Sequence, residues 1–129
     1  MQIFLVDDDL DDQEIFVMAL EEIDKNVEYS LANDGVDALE KLESDPTFLP
    51  DYIFIDVNMP RLNGLECLRQ IRKLTHLDHA VVIIYSTTLD QRLINNSKEL
   101  GANHFLVKPP GFTPLKEKLT EILKPQHKH

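Results

Sequence analysis

The chain has 129 residues, 43% hydrophobic and 28% charged, a profile of one ordinary domain with its own core that excludes a two-domain layout and a disordered chain. Its apolar runs stop at about six residues where a membrane-spanning helix needs about 20, its start carries no basic leader or cleavage site, and its single cysteine, Cys67, excludes an internal disulfide and fits a reducing, cytoplasmic setting. With 13 basic against 23 acidic residues and a net charge of −10, the surface repels nucleic acid and anionic membranes and favours basic or mixed-charge proteins and divalent cations.

Ile3-Phe4-Leu5-Val6 is a continuous apolar run ending in Asp7-Asp8-Asp9, which predicts a strand buried on both faces. Leu10 to Ile23 has helical spacing, with Ile15, Ala19 and Ile23 on one face widened by Phe16 and Leu20, and Asp9 is the predicted N-cap. Val27 to Leu31 alternates apolar and polar residues, as an edge strand does. After the turn Asn33-Asp34-Gly35, Val36, Leu39 and Leu42 mark a second helix, ended by Ser44-Asp45-Pro46. Tyr52 to Ile55 is a second buried run, ending in Asp56, and Leu65, Leu68 and Ile71 open a third helix extended by Leu74.

Ala80 to Tyr85 is the third buried run and ends in Ser86-Thr87-Thr88. A helix across Asp90 to Leu100 with Gly101 as its C′ residue follows. His104 to Val107 is the last strand, ending in Lys108-Pro109-Pro110, and Thr113-Pro114 reads as N-cap and first residue of a helix to about Leu123. Five β-α pairs in strict alternation predict an α/β fold, a doubly wound parallel sheet with helices on both faces. Residues Pro125 to His129 are expected to be a loose tail.

In such a sheet the site lies outside the carboxyl ends of the strands, and these ends supply Asp7, Asp8, Asp56, Ser86 and Lys108. Converging carboxylates repel one another, and Mg²⁺ with its oxygen-ligand preference resolves the repulsion. Asp7, Asp8, Asp56 and a backbone carbonyl after Asp56 supply part of that shell, and Lys108 brings the total charge with the metal to about zero. The chemistry that fits is phosphoryl transfer onto a nucleophilic oxygen, and Asp56, closing a central strand, suits the acceptor.

At this point the sequence resembles the receiver domain of two-component response regulators, of the stand-alone type, over about residues 2 to 124. The resemblance rests on VDDD (Val6 to Asp9), DGVDAL (Asp34 to Leu39), DVNMPRLNG (Asp56 to Gly64), the hydroxyl of Ser86, and FLVKP (Phe105 to Pro109). It implies a flavodoxin-like (βα)5 sandwich with strand order 2-1-3-4-5 over residues 1–124, apart from the tail. It implies further that Asp56 is the phosphoacceptor, that Asp7, Asp8, Asp56 and the Asn58 backbone carbonyl hold Mg²⁺ or Mn²⁺, and that Lys108 binds a phosphoryl oxygen. By the same resemblance Ser86 is the switch hydroxyl, Phe105 the switch aromatic without the common tyrosine hydroxyl, and the Lys108–Pro109 peptide is cis. The implied partners are a histidine kinase or phosphotransfer protein and a downstream protein, and the fourth helix, last strand and last helix form the face that changes.

Taken singly these residues are bland. Asp7 to Asp12 is also a capping acidic loop, Ser86 a strand-end hydroxyl, Lys108 a surface lysine and Phe105 plain core, while Cys67 reads as a helix filler and the five histidines as structural or surface. Two other functions compete. A Mg²⁺-dependent phosphohydrolase with an aspartate nucleophile needs an acid at the position of Asn58, and a flavin mononucleotide carrier needs a glycine- and hydroxyl-rich loop where Asp7-Asp8-Asp9 stands.

Overall fold

The computed structural model describes residues 1–59 and 62–123; Pro60 and Arg61 of the predicted loop, and the tail with the residue before it (124–129), lie outside the described residues. The elements in order are β1 (Gln2–Val6), α1 (Leu10–Ile23), β2 (Glu28–Ala32), α2 (Gly35–Ser44), β3 (Tyr52–Ile55), α3 (Gly64–Arg72), a single 3-10 turn (Thr75–Leu77), β4 (Val81–Ser86), α4 (Gln91–Glu99), β5 (His104–Val107) and α5 (Phe112–Leu123). The sheet is parallel throughout, in the order β2-β1-β3-β4-β5. The alternating segment is an edge strand, and the two runs that end in Asp7 and Asp56 pair side by side at the centre, Val6 opposite Ile55.

Side chains alternate across each strand, so the apolar runs feed two cores. Phe4, Val6, Ile53, Ile55, Val82 and Ile84 face α2 and α3, which bring Ala38, Leu42, Leu68 and Ile71. Ile3, Leu5, Phe54, Ile83 and Tyr85 face α1 and α5, which bring Phe16, Ala19, Leu20, Leu115, Leu119 and Leu123. Phe16, Phe54 and Tyr85 pack edge to face or tilted, with centroids 4.9 to 6.1 Å apart, and each such pair adds about 0.5–1.5 kcal/mol to area burial.

Four local expectations change. The buried stripe of α1 runs through Gln13, Phe16, Ala19 and Leu20, with Ile15 and Ile23 only half-buried at its border. Leu74 does not extend α3, because the Arg72 guanidinium donates to Leu77 O at 3.2 Å and Ala80 O at 3.0 Å and draws the chain into the 3-10 turn. α5 begins at Phe112, so Thr113 is helical rather than capping; Pro114 falls in the first turn, where its missing N–H is not needed. No peptide is cis among the described residues, so Lys108–Pro109 is trans, and the turn after it closes with Gly111 N–H donating to Pro109 O at 3.1 Å.

α4 is held differently from the other helices. Its one buried residue is Ser97, whose hydroxyl donates to Leu93 O at 2.7 Å within the helix. Its carboxyl end is tied down by Gly101, at φ +109°, whose carbonyl accepts from Arg72 Nε at 3.0 Å. Arg72 also donates to the side chain of Asn103 at 2.8 Å, and Asn103 in turn accepts from Val82 N–H at 2.8 Å.

Candidate functional site

Three backbone ladders run one residue beyond their strands. Asp7 N–H donates to Ala32 O at 3.0 Å, Asp56 N–H to Val6 O at 2.9 Å and Lys108 N–H to Ser86 O at 2.7 Å. The pairing that builds the sheet therefore sets these side chains on one rim at its carboxyl end. Gly64 seats the long loop there: its N–H donates to Val57 O at 3.0 Å, and a Cβ at this position would collide with the Asp56 carbonyl oxygen.

One carboxylate oxygen from each of Asp7, Asp8 and Asp56 lies within 4.8 Å of the others. Asp7 is fully buried; its Oδ1 accepts from Asp9 N–H at 3.0 Å and its Oδ2 lies 2.9 Å from Lys108 Nζ. Asp56 Oδ1 accepts from Asn58 N–H at 3.2 Å and its Oδ2 from Lys108 Nζ at 3.4 Å. Asp8 is exposed at the mouth. The ammonium also stands 5.3 Å from the centroid of the Tyr85 ring, a cation–π floor beneath it.

Burial governs the electrostatics. It pushes Asp7 up to about 6, against the lowering effect of the Asp9 N–H and of Lys108. Burial also raises Asp56, again opposed by Lys108. Partial burial alone would lower Lys108, but its bonds to Asp12 and Asp7 and the charges of Asp7 and Asp56 outweigh this and hold it protonated. Asp7, Asp8, Asp12 and Asp56 together outnumber the one lysine. A crevice of hard oxygen donors with excess negative charge and one arm open to solvent fits a divalent cation.

Ser86 lies at the end of β4, its hydroxyl fully buried and without a hydrogen-bond partner among the described residues, a state that costs about 1–3 kcal/mol and leaves the group ready to meet an oxygen. Thr87 and Thr88 are exposed beyond it. Phe105 is half-buried, pairs with Ile84 across β4 and β5, and packs against the same core that Val82 and Ile84 line. It lines a cleft of about 550 Å³ with Lys98, Asn103, His104, Glu121 and Ile122, between α4, β5 and α5. Cys67 is buried in α3 and its thiol is pushed up to about 12 by burial, which makes it inert packing.

Two residues of the site escape a linear reading. Gln13, buried on α1, donates from Nε2 to Asp7 O at 2.6 Å and to Asn33 Oδ1 at 3.0 Å, fixing the loop that carries Asp7. A polar residue on the apolar stripe three before Phe16 was its only signal. Asp12 reads locally as part of the capping acidic loop, yet its Oδ2 accepts from Lys108 Nζ at 2.9 Å across 96 residues of chain.

The family described as "Response regulator receiver domain" matches residues 3–120. Protein CcdB of Bacillus subtilis is 30% identical over 114 residues, covering 88% of this chain and 93% of that protein. Chemotaxis protein CheY of Thermotoga maritima is 27% identical over 115 residues, covering 89% and 94%. Among solved structures, the phosphorylated cyanobacterial phytochrome response regulator RcpA superposes with a TM-score of 0.86 at 27% identity, covering 95% of this chain and 91% of that one.

Proposed function

The chain belongs to the response regulator receiver family, and from that premise we propose that it is a single-domain relay whose phosphoacceptor is Asp56. It takes the phosphoryl group from a histidine kinase or a phosphotransfer protein and passes the signal on through a changed protein-binding face or by onward transfer. The observation that carries this reading is the meeting of Asp7, Asp8 and Asp56 within 4.8 Å, with the Lys108 ammonium in contact with Asp56.

A carboxylate oxygen of Asp56 attacks the phosphorus of a donor phosphohistidine. The P–N bond breaks, its electron pair returns to the ring nitrogen, and the product is an acyl phosphate on Asp56. Lys108 offers a charged N–H to one phosphoryl oxygen, and Ser86 supplies the hydroxyl that has no partner in the resting protein. Asp7, Asp8, Asp56 and the Asn58 carbonyl would hold Mg²⁺ or Mn²⁺, whose charge offsets that of the phosphoryl oxygens.

The phosphoryl group adds about one negative charge where a carboxylate stood. Drawing Ser86 toward it opens space beside Ile84, on the face that also carries Phe105. α4 lies over that flank with Ser97 as its one buried residue, so the α4–β5–α5 face, with Phe105 as its switch aromatic, is the element that changes. No helix among the described residues is long and apolar enough to cross a membrane, and we place the protein in the cytoplasm, without direct nucleic-acid contact given its charge of −10.

Incubation with Mg²⁺ and acetyl phosphate, followed by mass mapping, tests the assignment. One phosphoryl group on Asp56, absent in Asp56→Asn, is the expected result. A label elsewhere contradicts the acceptor, and multiple turnover on a small phosphate ester favours the hydrolase.

A further inference from the structure

The Lys108 ammonium has three N–H donors and three carboxylate neighbours. Asp7 Oδ2 and Asp12 Oδ2 each lie at 2.9 Å, while Asp56 Oδ2 lies at 3.4 Å. Of the two short contacts only the one to Asp12 is a hydrogen bond, the one to Asp7 Oδ2 being an ion pair, so the shorter of the lysine's two hydrogen bonds runs to α1 and the longer to the proposed acceptor.

Asp12 is held where it can do this. The Asp9 carboxylate caps α1, accepting from Asp11 N–H at 2.9 Å and Asp12 N–H at 3.1 Å. Asp12 is then the third helical residue, at the positive end of the helix, where a carboxylate is favoured.

We propose that Asp12 is a positioning residue that stands in for a phosphoryl oxygen on Lys108 in the resting protein and is displaced when Asp56 is phosphorylated. The inference rests on the reading of Asp56 and Lys108 given above. Lys108 Nζ hydrogen-bonds to Asp12 and Asp56, and a phosphoryl oxygen on Asp56 competes for the ammonium with the carboxylates already held there. The Asp7 side chain is 0% exposed, and releasing it would strand an anion away from water. The Asp12 side chain is 33% exposed and water can take the lysine's place. Asp12 is therefore the contact that opens. It competes with the phosphoryl group for the lysine, and its release frees a negative charge at the start of α1. Lys108 itself is fixed at its backbone by the bond to Ser86 O, so the exchange is a small swing of its ammonium.

Beryllofluoride, added at saturating Mg²⁺ and followed by titration calorimetry, reads this competition directly. Asp12→Asn is expected to bind it about two- to fivefold more tightly than the wild type. Asp12→Glu, which keeps a carboxylate within reach of the lysine, is expected to stay close to the wild type. Asp11→Asn removes the same charge one residue away on an exposed position and is expected to change affinity less than Asp12→Asn. In Mg²⁺-free protein the Lys108 ammonium resonance is expected to shift in Asp12→Asn and to stay in place in Asp11→Asn. Equal or weaker binding in Asp12→Asn, equal tightening in Asp11→Asn or Asp12→Glu, or an unmoved lysine resonance overturns the competition and leaves the reading of Asp56 standing. Failure of the wild type to bind beryllofluoride overturns both.

Discussion

The two flanks of the sheet are built to different tightness. On one side α1 and α5 sink Phe16, Ala19, Leu20, Leu115, Leu119 and Leu123 into a core shared with Phe54 and Tyr85. On the other, beside Ser86 and Phe105, α4 buries only Ser97 and is tied mainly at its carboxyl end through Gly101. The acidic crevice sits at the rim between them. Its Lys108 stands over the ring of Tyr85 on the tight side, while its orphaned Ser86 hydroxyl points into the loose one. A small chemical change at the rim can therefore be resisted by one flank and followed by the other.

Core truncation should separate the flanks most sharply. Phe16→Ala is expected to cost about 3–5 kcal/mol in urea unfolding, through lost burial and lost ring contacts. Ile94→Ala in α4 is expected to cost less than about 1.5 kcal/mol, since its side chain is only half-buried. Equal losses would erase the distinction.

Arg72 is the anchor of the loose flank. Arg72→Ala removes donors from Leu77 O, Ala80 O, Gly101 O and Asn103 Oδ1 and is expected to cost about 2 kcal/mol or more. Hydrogen exchange should rise at the carboxyl end of α4 and in the Asn103 turn, leaving α1 unchanged.

The crevice gives a pH signature. In metal-free protein the folded chain binds a proton at Asp7 with a pKa of about 6, while the unfolded chain binds it near 3.8. Between those values the folded state holds more protons, so this residue makes stability fall as pH rises through the window and adds no further slope above it. Cation binding competes with the same proton and should strengthen as pH rises across the window. Urea midpoints on either side of it, with chelator, should show a slope that Asp7→Asn reduces.

The smallest effect on stability is at the Ser86 hydroxyl. Ser86→Ala removes a buried group that has no partner, so the resting protein should be unchanged or slightly more stable, by up to about 1 kcal/mol. The same substitution should weaken the response of α4 to phosphorylation. A clear loss of resting stability would mean that Ser86 already has a structural partner.

How much of this was legible follows from the range of each signal. Continuous apolar runs ending in Asp7, Asp56 and Ser86 fixed the central strands, and their alternation with helical stripes fixed the order of layers, because burial on both faces is a local property of the run. Contacts made across the fold were hidden. Asp12 reaches Lys108 over 96 residues, and Gln13 and Arg72 bond to backbone carbonyls whose position depends on the finished sheet. The start of α5 was misjudged because proline is tolerated anywhere in a first turn, and the end of α3 because Leu74 keeps the helical spacing while Arg72 pulls the chain out of it. The weak burial of α4 was invisible, since Leu93, Ile94 and Leu100 carry an acceptable helical stripe.

Hydrogen exchange across the whole chain, with and without beryllofluoride and Mg²⁺, tests the central claim most directly. The account predicts altered protection in α4 and β5, little change in the α1–α5 core, and no response in Asp56→Asn. A uniform change over both flanks, or the same change in Asp56→Asn, would contradict it.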